Sequence, residues 1–341
     1  MRARPGVVLA LVLVTLGATV VAPAQADPAQ LAVRTLATGQ DVPWDIGFLP
    51  DGSGIYTERD TKKIKKITGS TVTTLHTVDE AVPGGEGGLL GIAVSPSFAD
   101  DNTVYVYYTA ATDNRVSRLR IGGGAPEPIV TGIPKNRFHN GGGLEFGPDG
   151  LLWATTGDAG NSADAQNTSS LAGKVLRFTT TGAPAPGNPF TSRVYSYGHR
   201  NPQGITWAGG RAYATEFGNN RTDELNWIQS GKNYGWPTCE GPCNDTRFVN
   251  PVKSWPTSSA GPTGIAHYKN ALYVACVTGR RVWKIPVTGT GLGTPQSVFT
   301  GYGRVRAAGA APDGTLWLGT SNQDGRGTPA ATDDRLLSTD G

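Results

Sequence analysis

The sequence has little of what many enzymes and nucleic-acid-binding proteins depend on. Of its 341 residues only four are histidine, three are cysteine and 17% are charged, and the net charge is +3. With so small a net charge there is no strong field, and no Lys/Arg run suggests nucleic acid or an anionic membrane surface as a partner. The chain also lacks a Walker loop, a Gly-x-Ser-x-Gly elbow and the glycine fingerprint of dinucleotide-binding domains. Helical periodicity is weak throughout, which argues against the parallel βαβ units of a nicotinamide enzyme.

The first residues have the pattern of a targeting segment. Two arginines near the start precede an almost wholly apolar run over residues 7–21, and Ala24-Gln-Ala26 supplies the small-x-small signature of a cleavage site. A membrane anchor is the rival interpretation, but the run is short for a span and no cysteine follows it for lipid attachment. The sequence therefore predicts a signal peptide over 1–26, a mature domain over 27–341 without a transmembrane segment, and a secreted protein.

Short apolar runs and turn signals alternate along the mature chain. Glycine and proline together make up 72 residues (48 plus 24), and they are spread out rather than clustered. Pro-Asp-Gly and similar turns join two strand-like runs six times, which is the chemistry of a tight hairpin. The six units begin near residues 48, 94, 146, 207, 267 and 311.

This repeat predicts an all-β fold, a six-bladed β-propeller with four-stranded antiparallel blades. A spacing of about 45 to 60 residues fits one blade per unit, and each unit is too small to bury its own face alone. Closing the ring requires the two ends of the chain to share a blade, with residues 31–36 and 335–338 as the partner strands. A pair of β-sandwiches would show shorter spacing and a linker.

Two of the three cysteines suggest a small disulfide loop. Cys239 and Cys243 are four residues apart, a spacing that a disulfide can close in an oxidising compartment. Zinc binding is the alternative, although no histidine is near. Cys276 lies in an apolar strand and is expected to be a buried thiol, while the odd count leaves another pairing open.

Four segments carry polar groups that a propeller could gather at its central channel. His139 precedes three glycines, a setting in which a histidine can act as a general base. The segment 196–204 is too polar for a core strand, and 215–224 offers the oxygen donors that calcium prefers. Arg304 and Arg306 lie on one face of a strand and suit a ligand with carboxylates. These residues alone indicate a polar, calcium-compatible central site, with no reaction specified.

At these positions the sequence resembles the glucose/sorbosone dehydrogenase family of soluble quinoproteins that use pyrroloquinoline quinone (PQQ). The resemblance covers nearly the whole mature chain. The motifs that carry it are Gly84-Gly-Glu-Gly-Gly-Leu-Leu-Gly91, His139-Asn-Gly-Gly142, Thr156-Gly-Asp158, Gly198-His-Arg-Asn-Pro-Gln-Gly204, Asp223-Glu-Leu-Asn226 and Asn233-Tyr-Gly-Trp-Pro237.

The resemblance implies catalytic roles for three residues. His139 would take the proton from the anomeric hydroxyl of a sugar, Asp158 would orient His139, and Arg200 would hydrogen-bond the quinone oxygen and stabilise its developing charge. It also implies cofactor contacts by a set of polar residues, namely Arg200, Asn201, Thr278, Arg304 and Arg306. Glu86 would lie beside the sugar, where related enzymes have glutamine, and Thr278 stands where they have lysine.

The resemblance further implies two calcium sites. The carbonyl groups of Gly218 and Asn219 would hold the Ca²⁺ that polarises the quinone, and Glu224 with the carbonyl of Tyr234 would form a structural site. The leading hypothesis is a PQQ-dependent aldose dehydrogenase that oxidises C1 to a lactone and passes electrons to an external acceptor. A non-catalytic propeller that binds carbohydrate or protein, and a calcium-dependent lactonase, are the two alternatives.

Overall fold

The structure is a computed structural model that describes residues 1–2, 32–289 and 291–340. The predicted signal peptide and its cleavage site fall, apart from the first two residues, outside the described residues, so they stay predictions. The unit Leu31–Gly341 is built almost entirely of strands. Its only helices within the described residues are the single turns α1 (Phe98–Asp101) and α2 (Ser162–Gln166).

Six antiparallel sheets follow one another along the chain, and each begins with its innermost strand. The strands of the first three blades are β2 (Pro43–Phe48), β3 (Gly54–Glu58), β4 (Lys63–Thr68) and β5 (Thr71–Thr77); β6 (Leu89–Val94), β7 (Thr103–Thr109), β8 (Asn114–Arg120) and β9 (Glu127–Ile133); and β10 (Leu144–Phe146), β11 (Leu152–Thr156), β12 (Lys174–Phe178) and β13 (Val194–Tyr197).

The strands of the other three blades are β14 (Pro202–Ala208), β15 (Arg211–Glu216), β16 (Thr222–Ile228) and β17 (Lys253–Pro256); β18 (Pro262–Tyr268), β19 (Ala271–Cys276), β20 (Arg281–Thr288), β21 (Gly291–Leu292) and β22 (Gln296–Val298); and β23 (Val305–Ala310), β24 (Leu316–Thr320), β25 (Leu336–Thr339) and β1 (Val33–Ala37). Each predicted turn joins the first and second strands of a blade. The six-bladed propeller is therefore confirmed.

The ring closes through the two ends of the chain. Strand β1 pairs antiparallel with β25, so that Val33 lies opposite Thr339 and Thr35 opposite Leu337. This confirms the predicted partnership of the terminal segments. Blade 5 departs slightly from four strands, because its outer edge is split between β21 and β22, which both pair with β20. Pro295 lies between the two pieces and has no N–H to offer a continuous ladder.

Large apolar side chains fill the spaces between blades. Phe178, Leu89 and Leu90 are fully buried, and burial of an apolar side chain of this size contributes about 1.5 to 3 kcal/mol to stability. Cys276 is buried with a free thiol, and Cys239 and Cys243 form a disulfide with Cα atoms 6.1 Å apart, as predicted. Within the described residues, no helix has the length and apolar character needed to cross a membrane.

The innermost strands contact one another in ring order and enclose a central channel. A cavity of about 520 Å³ runs along it, from Gly143 and Gln203 to Phe48 and Pro148 at the opposite end. Because every innermost strand begins at the same end of the ring, the loops that precede these strands converge there.

Candidate active site

Most of the predicted site residues lie in the loops that lead into the innermost strands. Glu86 precedes β6, His139 precedes β10, Arg200 and Asn201 precede β14, and Arg304 precedes β23. Segments 139–143 and 196–204, which look unrelated in the sequence, are thereby brought to one end of the channel.

His139 is held by a carboxylate that is itself held by other groups. Its Nδ1 is 2.7 Å from Oδ1 of Asp158, and Trp236 donates from Nε1 to Oδ2 of Asp158 at 2.8 Å. Burial raises the pKa of Asp158, but the hydrogen bonds from His139, Gly160 and Trp236 outweigh burial and leave that pKa below its usual value. A carboxylate at Nδ1 favours the tautomer that carries its proton there, which leaves the lone pair of Nε2 available as a base.

The backbone around His139 is shaped by close contact with the Thr156-Gly-Asp158 motif. His139 has a left-handed backbone with φ of 58°, which is uncommon outside glycine. A Cβ atom on Gly157 would lie 2.0 Å from the carbonyl oxygen of His139, so glycine is required there. The two motifs therefore fix the direction of the imidazole through their backbones as well as through Asp158.

Arg200 is half-buried and has donor capacity left over. Its guanidinium lies 5.5 Å from the ring of Trp236, and its terminal nitrogens make long contacts with the carbonyl of Phe217 (3.4 Å) and Oδ1 of Asn219 (3.3 Å). Its Nε is buried without a partner among the described residues. Burial lowers the pKa of Arg200, an effect that Asp158 and Glu216 partly offset. An unpartnered buried donor of this kind fits an acceptor supplied by a ligand.

Arg304 and Arg306 share one carboxylate. Asp324 accepts hydrogen bonds from Nε and Nη2 of Arg304 at 2.9 and 2.8 Å, and its Oδ2 lies 3.6 Å from Nη2 of Arg306. Nη1 of Arg306 also donates to Gln203 at 3.1 Å. Both arginines are only 6% exposed, so their contacts with Asp324 differ from the solvent-exposed ion pairs that are common on protein surfaces. One carboxylate for two guanidinium groups leaves positive charge and donors for an anionic ligand.

Glu86 and Asn201 support the loop that carries His139. Oε2 of Glu86 accepts from the backbone N–H of His139 at 2.9 Å, and Oδ1 of Asn201 accepts from the N–H of Gly141 at 3.0 Å. Nδ2 of Asn201 lies 3.4 Å from the same oxygen of Glu86. Arg326 contacts the other oxygen of Glu86.

The loop that offers Gly218 and Asn219 is organised by a residue inside the disulfide loop. Oε1 of Glu240 accepts four successive backbone N–H groups at 2.8 to 3.1 Å, those of Asn219, Asn220, Arg221 and Thr222. Within the described residues, the carbonyl oxygens of Gly218 and Asn219 accept no hydrogen bond. Burial raises the pKa of Glu240, and the four N–H donors outweigh it and lower that pKa.

Glu224 and Tyr234 lie around the same small cavity as Gly218. Burial, followed by repulsion from Glu216, raises the pKa of Glu224. Glu216 itself holds His199, whose Nδ1 is 2.8 Å away, while the ring of His199 stacks on Tyr234. No group of three or more His, Cys, Asp or Glu side chains with metal-site geometry occurs in the part of the chain that the structure describes. Any cation here would therefore depend on backbone carbonyls.

Residues 40–329 match the family described as Glucose / Sorbosone dehydrogenase. The chain belongs to this family. Aldose sugar dehydrogenase YliI of Escherichia coli is 28% identical over 345 residues, which cover 88% of this chain and 92% of that protein. A solved structure described as the PQQ-bound form of aldose sugar dehydrogenase from Streptomyces coelicolor is 45% identical, with a TM-score of 0.87, and covers 92% of this chain and 99% of its own.

A second solved structure is described as a putative oxidoreductase (glucose dehydrogenase) from Thermus thermophilus. It is 38% identical with a TM-score of 0.86, and the match covers 90% of this chain and 99% of the other. The relatives and structural neighbours of this glucose/sorbosone dehydrogenase family member thus include quinoprotein glucose dehydrogenase B of Acinetobacter calcoaceticus and the PQQ-bound aldose sugar dehydrogenase, which are oxidoreductases.

Thr278, the residue predicted in place of a family lysine, lies in the turn after β19. It is exposed, and its neighbour Val277 accepts a hydrogen bond from Nη1 of Arg304 at 3.1 Å. The turn is therefore next to the arginine pair. The Thr278 side chain itself packs near Gly261, where a Cβ atom would lie 2.4 Å from its Oγ1.

Sequence reasoning missed four residues that this family member uses to build the site: Trp236, Glu240, Asp324 and Arg326. Trp236 appeared only inside a motif, with no role assigned. Glu240 has one local signal, its place between two cysteines in a five-residue loop. For Asp324 and Arg326 no local signal exists, because their partners are 20 and 240 residues away.

Proposed function

We propose that this chain is a PQQ-dependent aldose dehydrogenase. It would oxidise the C1 hydroxyl of a sugar to a lactone and pass the electrons to an external acceptor. The observation that carries the proposal is the His139–Asp158 pair, which is linked to Arg200 through Trp236: Trp236 donates to Asp158, and the guanidinium of Arg200 lies 5.5 Å from the ring of Trp236. The family and its sugar dehydrogenase members support the substrate class.

The residues present fit a planar, anionic cofactor. The unpartnered Nε of Arg200 and the incompletely neutralised Arg304–Arg306 pair offer donors to carboxylate and carbonyl oxygens. A neighbour described as PQQ-bound has the same fold at 45% identity. When bound, PQQ would supply the two-electron oxidant, with Ca²⁺ on the carbonyls of Gly218 and Asn219 as its Lewis acid.

The chain's own residues would do the rest. His139 would accept the proton of the sugar hydroxyl at Nε2, and Asp158 would stabilise the resulting imidazolium through Nδ1–H. Arg200 would place positive charge where negative charge develops. Asn201 and Glu86 would keep the loop of His139 in position. The low pKa of Asp158 keeps it ionised and therefore able to perform this role.

The direct test is reconstitution of the protein with PQQ and Ca²⁺, followed by assays on aldoses with an artificial acceptor and on lactones without one. We expect PQQ binding tighter than about 10 μM, aldose oxidation, and loss of activity on chelation of Ca²⁺. Binding of sugar without PQQ binding would instead support a non-catalytic propeller, and lactone hydrolysis without PQQ would support a lactonase.

We also propose that the protein is exported, on the basis of the pattern in residues 1–26. The disulfide Cys239–Cys243 supports an oxidising compartment. N-terminal sequencing of the mature protein tests this directly, with a start at Asp27 as the expected result. A protein that retains residue 1 and stays inside the cell would contradict it.

A further inference from the structure

Glu86 and Arg326 form an ion pair between two loops at the mouth of the site. Glu86 lies before β6, Arg326 lies between β24 and β25, and Nη1 of Arg326 is 3.3 Å from Oε1 of Glu86. The other oxygen of Glu86 accepts the backbone N–H of His139 at 2.9 Å. The pair is therefore in direct contact with the loop that carries the proposed base.

The two partners differ in how firmly they are held. The side chain of Glu86 is 19% exposed, whereas that of Arg326 is 60% exposed. The backbone N–H of Arg326 donates to Oδ1 of Asp324 at 3.0 Å, and Asp324 is itself bound by Arg304, so the backbone of Arg326 is tied to the arginine pair while its side chain is largely exposed. An exposed ion pair shifts an equilibrium by a factor of about five at most, so a substrate can open it at little cost.

We propose that the Glu86–Arg326 pair is a charge filter that selects neutral aldoses over amino sugars and uronic acids. The inference rests on the proposed function and concerns the sugar that enters the site. A neutral sugar can donate a hydroxyl to Glu86 and accept a hydrogen bond from Arg326. An ammonium group is attracted by Glu86 but repelled by Arg326, and a carboxylate meets the reverse. The balanced pair therefore compensates neither charge, and a charged sugar loses stronger hydration on entry than a neutral sugar does.

Removing one partner leaves the other charge uncompensated. Arg326→Gln should raise the ratio of kcat/KM for D-glucosamine over D-glucose by about two- to fivefold, because Glu86 then acts alone. Glu86→Gln should raise the ratio for D-glucuronate over D-glucose by a similar factor, while the amide oxygen can still accept the N–H of His139. The double variant should return both ratios to within about twofold of wild type.

The assays use PQQ- and Ca²⁺-loaded protein, a neutral electron acceptor and low ionic strength, at a pH where glucosamine is protonated. Added salt should shrink both effects, since exposed charges are screened. Arg118→Gln is the matched control, because Arg118 forms an exposed ion pair with Glu127 on the outer strands of blade 2, 2.6 Å apart. It should leave both ratios unchanged. Thermal unfolding of each variant checks that it folds.

A second readout does not depend on oxidation. Ligand-observed NMR measures the affinity of the cofactor-free protein for glucose, glucosamine and glucuronate. Relative to glucose, glucosamine should bind more tightly to Arg326→Gln, and glucuronate should bind more tightly to Glu86→Gln. If wild type oxidises glucose but neither single variant moves the ratios, the filter is wrong and the proposed activity stands. If no sugar is oxidised but NMR shows the predicted changes in affinity, towards glucosamine in one variant and towards glucuronate in the other, the filter holds and the proposed activity fails. If a single variant changes its preference for glucosamine and for glucuronate in the same direction, the filter is also overturned.

Discussion

The two ends of the central channel are built on the same six strands and have opposite chemistry. At the end where the strands begin, charged groups are paired: His139 with Asp158, Arg304 and Arg306 with Asp324, and Arg326 with Glu86. Towards the other end, the described residues that line the 520 Å³ cavity are mostly apolar, and its titratable side chains are Asp45, Glu145 and His267.

The carboxyl groups inside the channel are poorly compensated. Burial raises the pKa of Asp45 to about 7, although its oxygens accept the N–H groups of Ile46 and Ile92 at 2.9 and 3.0 Å. Burial and then Asp45 raise the pKa of Glu145 well above its usual value. Burial alone thus perturbs a carboxyl without making a site, whereas the loops at the first end give Asp158, Asp324 and Glu240 partners that lower the pKa of each.

The largest expected effect is on turnover, and it distinguishes His139 from His267. His139→Ala should reduce turnover by roughly a hundred- to ten-thousandfold, because the general base is lost, while PQQ binding is retained. His267→Ala, at the opposite end of the channel, should leave turnover unchanged. Steady-state kinetics and PQQ titration of both variants check this. Unchanged turnover in His139→Ala would show that His139 is not the general base.

The next effect concerns the arginine pair. Arg306→Ala should weaken PQQ binding by about tenfold or more, since charge-assisted hydrogen bonds contribute about 1.5 to 3 kcal/mol. Equilibrium titration of the apoprotein with PQQ measures the change. Arg118→Ala, on the outside of blade 2, is the control and should bind as wild type does. Equal affinity in the Arg306 variant would place the cofactor elsewhere.

A smaller effect is expected at the proposed calcium loop. Glu240→Gln keeps one acceptor but removes the charge that strengthens four N–H bonds, so amide hydrogen exchange at residues 219–222 should accelerate by about tenfold. The pKa of Glu240 is lowered in the folded protein, so this protection should persist above pH 4.5 and decline as pH falls through the lowered pKa. Glu127→Gln is the control. Unaltered exchange would show that Glu240 does not organise the loop.

The smallest expected effect is on stability, and it concerns Glu145 at the mostly apolar end of the channel. The pKa of Glu145 is raised on folding, so its stabilising contribution is present below its ordinary pKa and is lost as pH rises through the folded value. Glu145→Gln should therefore gain stability relative to wild type between pH 5 and pH 8, by about 1 kcal/mol. Urea unfolding at both pH values measures it. A constant difference between the two proteins would show that Glu145 has an ordinary pKa.

Much of the fold follows from local chemistry. The six hairpins and the Cys239–Cys243 disulfide depend on short patterns of turn residues, alternation or spacing, and the pairing of the chain ends follows from closure of the ring. The structure confirms each. The break in the outer edge of blade 5 was not predicted. The prediction assigned four strands to each unit and did not consider that Pro295 would interrupt the outer strand of this blade.

The candidate site was only partly accessible from the sequence. His139, Arg200 and the arginine pair could be singled out because glycines, an X-Pro turn or paired charges mark them locally. That Asp324 pairs with both arginines could not be predicted, since an aspartate in a polar loop is an ordinary surface residue until the loop folds over them. The cofactor and calcium assignments remain predictions that the proposed experiments test.

The sequence by itself determined the repeating hairpin and therefore the ring, because turn chemistry and strand alternation act over a few residues. Only the tertiary structure decided which charges meet. Glu86 and Arg326 are 240 residues apart along the chain and yet lie 3.3 Å apart, because the closed ring brings the loop between β24 and β25 of the last blade to the loop that leads into the second blade. Electrostatic partnerships depend on distance in space, and a propeller sets those distances only when it closes.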